Sequence, residues 1–357
     1  MLLALLAYAL PAAGVPVADR PVEIESTLDG TTLGCTWTTP SSPTPDSAWP
    51  AAVLLSVAGP NDRDQTVGPH RLFADLARGL ADAGIASLRC DDHGVGDSTG
   101  DWLQASYEVR AADAVRMASW IRAQDGVDPE RVGFVGNSEG GAVGPLATLA
   151  MTEEPAAFVV LLAGPGVPAQ QALRHGLEAA IEQRGLPDAT ATRFRALFDQ
   201  LVELMNDAKS AGPEAGAEAA LRKRMTEFLQ SGGAMLIPAY GFVPPTIEGL
   251  TDLLLSPWYR SQFRYEPAKA LAAVGVPLLA LTGSKDTVLP ADPHLHGVRA
   301  ARAASGQRTV VRELEGLNHV FQEAETGSPI EYPTLPGGFA PRAIELVVKF
   351  IMEGGSN

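Results

Sequence analysis

Residues 132–141 read Val-Gly-Phe-Val-Gly-Asn-Ser-Glu-Gly-Gly, an apolar run that stops at a serine with a glycine two places to either side. A stretch of small residues, Ala142 to Met151, follows with helical character. Strand, sharp turn and helix are the context a nucleophile elbow requires: the serine sits in a strained backbone conformation, and its flanks carry no Cβ because strand and helix nearly touch. Ser138 is the candidate nucleophile, with Gly136 and Gly140 as the elbow glycines. The pentapeptide alone is weak, since with 36 Gly in 357 residues a chance G-x-S-x-G is expected in roughly one such chain in five. Gly96-Asp97-Ser98-Thr99-Gly100 is a second match. It follows a polar loop, Asp91 to Val95, with no apolar strand against it, so Ser98 reads as a turn serine.

A serine hydroxyl attacks well only when a base takes its proton, and a histidine does so best when a carboxylate orients it. In chains built around such an elbow, the order is serine, acid, histidine. Asp286, in Gly283-Ser284-Lys285-Asp286, leaves the end of the apolar strand Val276–Leu281 and is the candidate acid; Asp292 lies beyond Pro290, further from that strand. Of the six histidines, His70, His93 and His175 precede the acid, and His294 and His296 follow it with no strand between. His319, in Glu315-Gly316-Leu317-Asn318-His319, follows the last strand on a glycine-containing loop and is the candidate base. Acyl transfer also needs N–H donors for an oxyanion, one after the nucleophile and one from the loop after the third strand. Those are the backbone N–H groups of Glu139 and Ala58. The charge triplet Asp62-Arg63-Asp64 beside that loop reads as ion pairing that braces it.

The elements that must position these groups alternate. Pro21–Thr39 reads as an antiparallel pair around Asp29-Gly30, and 51–57 as a buried strand. Helix near Leu72–Ala83, strand Ile85–Cys90, helix near Val109–Arg122, strand Val132–Val135, the elbow helix and strand Phe158–Leu162 follow. Such a rhythm predicts a mostly parallel sheet with helices on both faces. It breaks from about Gly164 to Arg264, where the pattern is helical; Phe194, Phe198, Leu201 and Met205 share an apolar stripe, and Phe198, Leu201 and Met205 are candidates for a substrate pocket. Strands resume at Val276 and Thr309, and an amphipathic helix near Pro341–Met352 closes the chain. The expected division is a leader at 1–20, a core at 21–163 and 265–357, and a helical cap at 164–264 over the carboxyl ends of the strands.

A net charge of −15 with no basic cluster argues against a nucleic-acid partner. Cys35 and Cys90, the two cysteines, are too few for a zinc site and read as buried core thiols. The apolar run Met1–Leu10 before Pro11-Ala12-Ala13-Gly14 resembles a signal sequence without its basic start, pointing to a secreted or periplasmic protein, with a cytoplasmic one as the alternative. It is too short to span a bilayer, and no other stretch is long enough.

Taken together, Gly59-Pro60-x-Asp62-Arg63-Asp64, Asp92-x-Gly94-x-Gly96-x-Ser98, Gly136-x-Ser138-Glu139-Gly140-Gly141, Ser256-Pro257-Trp258, Gly283-x-Lys285-Asp286 and Gly316-Leu317-Asn318-His319-x-Phe321 resemble the α/β-hydrolases. Within them the chain is similar to the bacterial serine-aminopeptidase-like esterase group. The resemblance implies the α/β-hydrolase fold, a Ser138–Asp286–His319 triad and esterase activity on short acyl chains. Two positions depart from the group: Asn137 stands where a histidine is usual, and Val57-Ala58 where Gly-Ser or His-Gly is usual. The expectation is a serine esterase for a small-molecule ester, working through an acyl-enzyme without cofactor or metal. The alternatives are a thioesterase, lactonase or peptidase on the same triad, or a silent binding member of the fold. Oligomeric state is not legible.

Overall fold

The computed structural model describes residues 18–40, 48–210, 215–237 and 243–354. Of the expected leader, residues 1–17 lie outside the described residues. Eight strands form one sheet: β1 (Ala18–Glu25), β2 (Thr32–Thr39), β3 (Trp49–Leu55), β4 (Ala86–Cys90), β5 (Val127–Asn137), β6 (Val159–Leu162), β7 (Leu278–Gly283) and β8 (Thr309–Leu314). Their spatial order is β1-β2-β4-β3-β5-β6-β7-β8. Strand β2 runs antiparallel to both neighbours, and every pairing from β4 to β8 is parallel. This is the α/β-hydrolase fold, as expected.

Alternation along the strands divides the core. On β3, Ala51, Val53 and Leu55 face α2 (Tyr107–Arg122) and α3 (Gly140–Ala150), packing with Ala114, Ile121, Ala142 and Val143. Ala52 and Leu54 face the other way, toward α1 (Leu72–Asp82) and α11 (Pro341–Met352), where Leu72, Leu76, Val347 and Phe350 are buried. A strand with both faces covered must be apolar throughout, which is why 51–55 carries no polar residue. Each large side chain so buried contributes about 1.5–3 kcal/mol.

Between β6 and β7 the described residues are helical: α4 (Ala169–Gln183), α5 (Asp188–Ser210), α6 (Ala215–Gln230), α7 (Ile247–Leu255), α8 (Pro257–Arg264) and α9 (Pro267–Ala273). Leu197, Leu204, Met205, Leu221, Met225 and Leu254 give α5–α7 an apolar cluster of their own. After β7 comes α10 (Ala291–Arg302), a helix that the sequence pattern did not announce. No helix among the described residues is long and apolar enough to cross a membrane.

The cysteines correct an expectation. Cys35 and Cys90 form a disulfide instead of remaining thiols. They are separated by 55 residues, yet they are direct partners in the antiparallel register of β2 and β4. Strand pairing, which spacing along the chain does not reveal, brings them together. The native protein should therefore resist alkylation until reduced, and Cys35→Ser should cost about 2–4 kcal/mol in urea unfolding. Alkylation of both cysteines in the unreduced native protein would count against the bridge.

Candidate active site

Ser138 lies at the carboxyl end of β5 with φ at +52°, a conformation that a side chain rarely adopts. Its N–H donates to the Leu162 carbonyl at 2.7 Å, and its own carbonyl accepts from Gly141 N–H at 2.9 Å. The glycines are required: a Cβ on Gly136 would collide with the Gly140 carbonyl, and one on Gly140 with the Leu55 carbonyl. Strand, helix and neighbouring strand thus meet backbone to backbone. Ser98, by contrast, donates to the Asp91 carbonyl and accepts from Gly34 N–H, as a turn serine does.

Asp286 and His319 come together from the turns after β7 and β8. His319 Nδ1 and Asp286 Oδ2 are 2.8 Å apart. Asp286 Oδ1 accepts from the N–H groups of Val288 and Leu289, so the carboxylate is held at both oxygens. A neutral ring bonded this way carries its proton on Nδ1 and leaves the Nε2 lone pair free. The loop is shaped by Asn318, whose Oδ1 accepts from Val320 and Gln322 N–H, and by Phe321 at φ +63°. Asn137, next to Ser138, ties that loop to the elbow: its Nδ2 donates to the Leu162 carbonyl at 2.9 Å and to the His319 carbonyl at 3.4 Å. Its Oδ1 accepts from Gln65. An amide in place of the histidine usual in the resembling group thus bridges elbow and base loop.

Ala58 lies in the turn after β3. Asn61 Nδ2 donates to the carbonyls of Val57 and Gly59, on either side of it. Neither Ala58 N–H nor Glu139 N–H has an acceptor among the described residues. The Glu139 side chain is buried, bound by the Arg110 guanidinium and by Trp258 Nε1 at 2.9 and 3.0 Å to its two oxygens. Burial pushes its carboxyl up to about 7, against the pull of Arg110 and Trp258. The Asp62-Arg63-Asp64 triplet braces the loop, as expected: Arg63 pairs with Asp91 and Asp97, and Asp64 with Arg71 and Arg89.

Ala58, Ser138 and Glu139 border a cavity of about 550 Å³ whose other wall is the helical segment, including Leu177, Phe194, Phe198, Leu201 and Trp258. This size suits a small organic ligand. Phe198 and Leu201 were expected there. Met205 was too, and is instead fully buried within the α5–α7 cluster, because it lies on the part of the stripe that faces the neighbouring helices. Sequence reasoning missed His294, Tyr107 and Tyr265, which also line the cavity. His294 Nδ1 accepts from Gly166 N–H at 3.0 Å, so a neutral ring carries its proton on Nε2. Only the fold, by placing α10 beside the cavity, singles it out.

A family model for the X-Pro dipeptidyl-peptidase (S15 family) matches residues 29–311. The chain belongs to the S15 family. Esterase EstD of Thermotoga maritima is 29% identical over 131 residues, covering 36% of this chain and 30% of that protein. An uncharacterized protein of Mycobacterium tuberculosis is 35% identical over 149 residues, covering 42% of this chain and 47% of that one. The match thus spans less than half the length of either relative. Among solved structures, hypothetical protein PA2218 of Pseudomonas aeruginosa superposes with a TM-score of 0.55 at 18% identity, covering 99% of each chain; at that identity the likeness is one of fold. This S15-family chain has the α/β-hydrolase fold.

His294 generates a pH prediction. Burial depresses its pKa from 6.5 to about 4, opposed by the charge of Asp286 and assisted by His319 and His175. Between those values the unfolded chain holds the proton and the folded one does not. The stability this confers is complete above pH 6.5 and is lost as pH falls toward 4, by up to about 1.4 kcal/mol per pH unit. His294→Gln should flatten that loss in urea titrations at pH 7, 6 and 5; parallel losses in both proteins would contradict it.

Proposed function

We propose that the protein is a serine hydrolase of carboxylic esters with short to medium acyl chains, with Ser138 as nucleophile, His319 as base and Asp286 as its orienting acid. One observation carries the reading: a serine held at positive φ borders an apolar cavity, and the loop of an Asp286-bonded histidine is tied to the residue beside it. Ser138 Oγ attacks the ester carbonyl as His319 Nε2 takes its proton, and the Asp286 carboxylate stabilises the imidazolium. The N–H groups of Ala58 and Glu139 receive the oxyanion. His319 returns the proton to the departing alcohol, and water, activated by the same ring, releases the acid. In this reading no cofactor or metal takes part.

Residues 164–264 act as a cap, with Phe198 and Leu201 in the acyl pocket. The Cys35–Cys90 bridge supports an exported protein, since disulfides persist in oxidising compartments. The family match makes peptidase chemistry the second reading. A peptidase that takes a free amino terminus needs a carboxylate to hold the ammonium. Glu139 is the one carboxylate lining the cavity among the described residues, and Arg110 and Trp258 already occupy it, which favours esters.

Ser138→Ala should reduce hydrolysis of p-nitrophenyl esters by roughly 10⁴-fold or more, Ser98→Ala should leave most of it, and a fluorophosphonate should label Ser138 alone. Labelling at Ser98 reverses the assignment, and faster turnover of X-Pro amides than of esters favours the peptidase. Phe198→Ala should move the acyl-length optimum upward, each methylene accommodated adding about 0.8 kcal/mol to transition-state binding. A lower Tm with an unchanged kcat/KM profile would place Phe198 in packing instead.

A further inference from the structure

Two N–H groups stabilise an oxyanion only if both stand 2.7–3.1 Å from one point, yet Ala58 and Glu139 belong to separate turns, after β3 and β5. A partly buried chain of ion pairs and hydrogen bonds joins those turns. On one side the Arg110 guanidinium binds the Glu139 carboxylate. On the other, its Nη2 binds Ser56 Oγ at 2.8 Å and Asp92 Oδ1 at 3.4 Å, and Ser56 Oγ donates to the same Asp92 oxygen at 2.8 Å. Asp92 Oδ2 accepts from Asn61 N–H at 2.9 Å and Nδ2 at 3.1 Å. That Nδ2 also holds the carbonyls of Val57 and Gly59, between which Ala58 lies. Arg110, Asp92 and Asn61 do not line the cavity.

We propose that Arg110 is a positioning residue that sets the spacing of the Ala58 and Glu139 N–H groups, and that Trp258 makes this spacing depend on the seating of the helical segment. The inference rests on the serine-hydrolase reading. Arg110 suits the task because a planar guanidinium reaches two partners in fixed directions, whereas a lysine ammonium is a single mobile point. Trp258, on α8, donates to both Glu139 oxygens, so a shift of α8 pulls on the residue whose N–H receives the charge. Ser56 reinforces the join, its carbonyl accepting from Gly140 N–H at 3.0 Å.

The test pairs ester kinetics with amide hydrogen exchange, the latter needing no substrate. In Arg110→Met, kcat should fall on the order of 10²-fold with KM little changed, since the loss of one oxyanion donor costs about 10²–10³. Affinity for a trifluoromethyl ketone analogue should fall in step, and exchange should quicken in segments 56–61 and 137–142 together. Arg110→Lys should recover part of kcat, and Trp258→Phe, which keeps an aromatic ring and loses the N–H, should lower kcat less. A folded Arg110→Met with unchanged kcat and analogue affinity, or with faster exchange in one segment only, overturns the proposal. Should that variant not fold, Asn61→Ala leaves Arg110 paired with Asp92 and Glu139, and unchanged kcat and exchange at 56–61 would overturn it. A wild-type protein without Ser138-dependent ester turnover refutes the serine-hydrolase reading itself, an outcome distinct from both.

Discussion

Backbone packed directly on backbone at the end of β5 is the constraint on which the site depends. Gly136, Gly140 and Leu55 approach so closely that no side chain fits, and the chain escapes the crowding by turning through a left-handed residue at Ser138. Such a conformation costs of order 1–3 kcal/mol and persists only where its surroundings over-determine it. Here they do: Ser138 N–H is bonded to β6, Gly140 N–H to Ser56 just after β3, and apolar layers cover the sheet on both faces. The serine is presented at the cavity because the fold around it cannot relax.

Charge is used locally in a way the net value conceals. The chain is strongly acidic, but beside the elbow the carboxylates are paired inside the protein. Arg63 holds Asp91, Arg89 holds Asp64, and Arg110 holds Glu139 and Asp92. Pairs of this kind add little net stability, yet removing one partner strands a buried charge at a cost of about 3–5 kcal/mol. They are better understood as devices that hold the turns after β3 and β4 in one arrangement. The Cys35–Cys90 bridge acts in the same neighbourhood, joining β2 to the end of β4 where that loop begins.

The helical segment has two functions, and its residues divide between them. Met205 and Leu204 pack its interior, while Phe198 faces the cavity with Arg174 stacked on its ring. One apolar stripe on α5 serves both, because a helix face wide enough to pack against neighbours also has an edge that can line a pocket.

Much was legible in the residues themselves. Periodicity marked the buried strands and the helical interruption, since burial on two faces forces a continuous apolar run and burial on one side of a helix forces a stripe. Local geometry separated Ser138 from Ser98, because a nucleophile elbow needs a strand before it. The order of elements singled out Asp286 and His319, which the structure brings to 2.8 Å. What depends on contacts between distant segments was not legible. The pairing of Cys35 with Cys90, the placing of His294 on the cavity wall, the inward turn of Met205 and the chain of bonds from Glu139 through Arg110 to Asn61 follow from how elements dock. Secondary structure is written in near-neighbour periodicity, which one sequence displays; side-chain partnership across tens of residues is decided only when sheet register and helix packing set directions and distances.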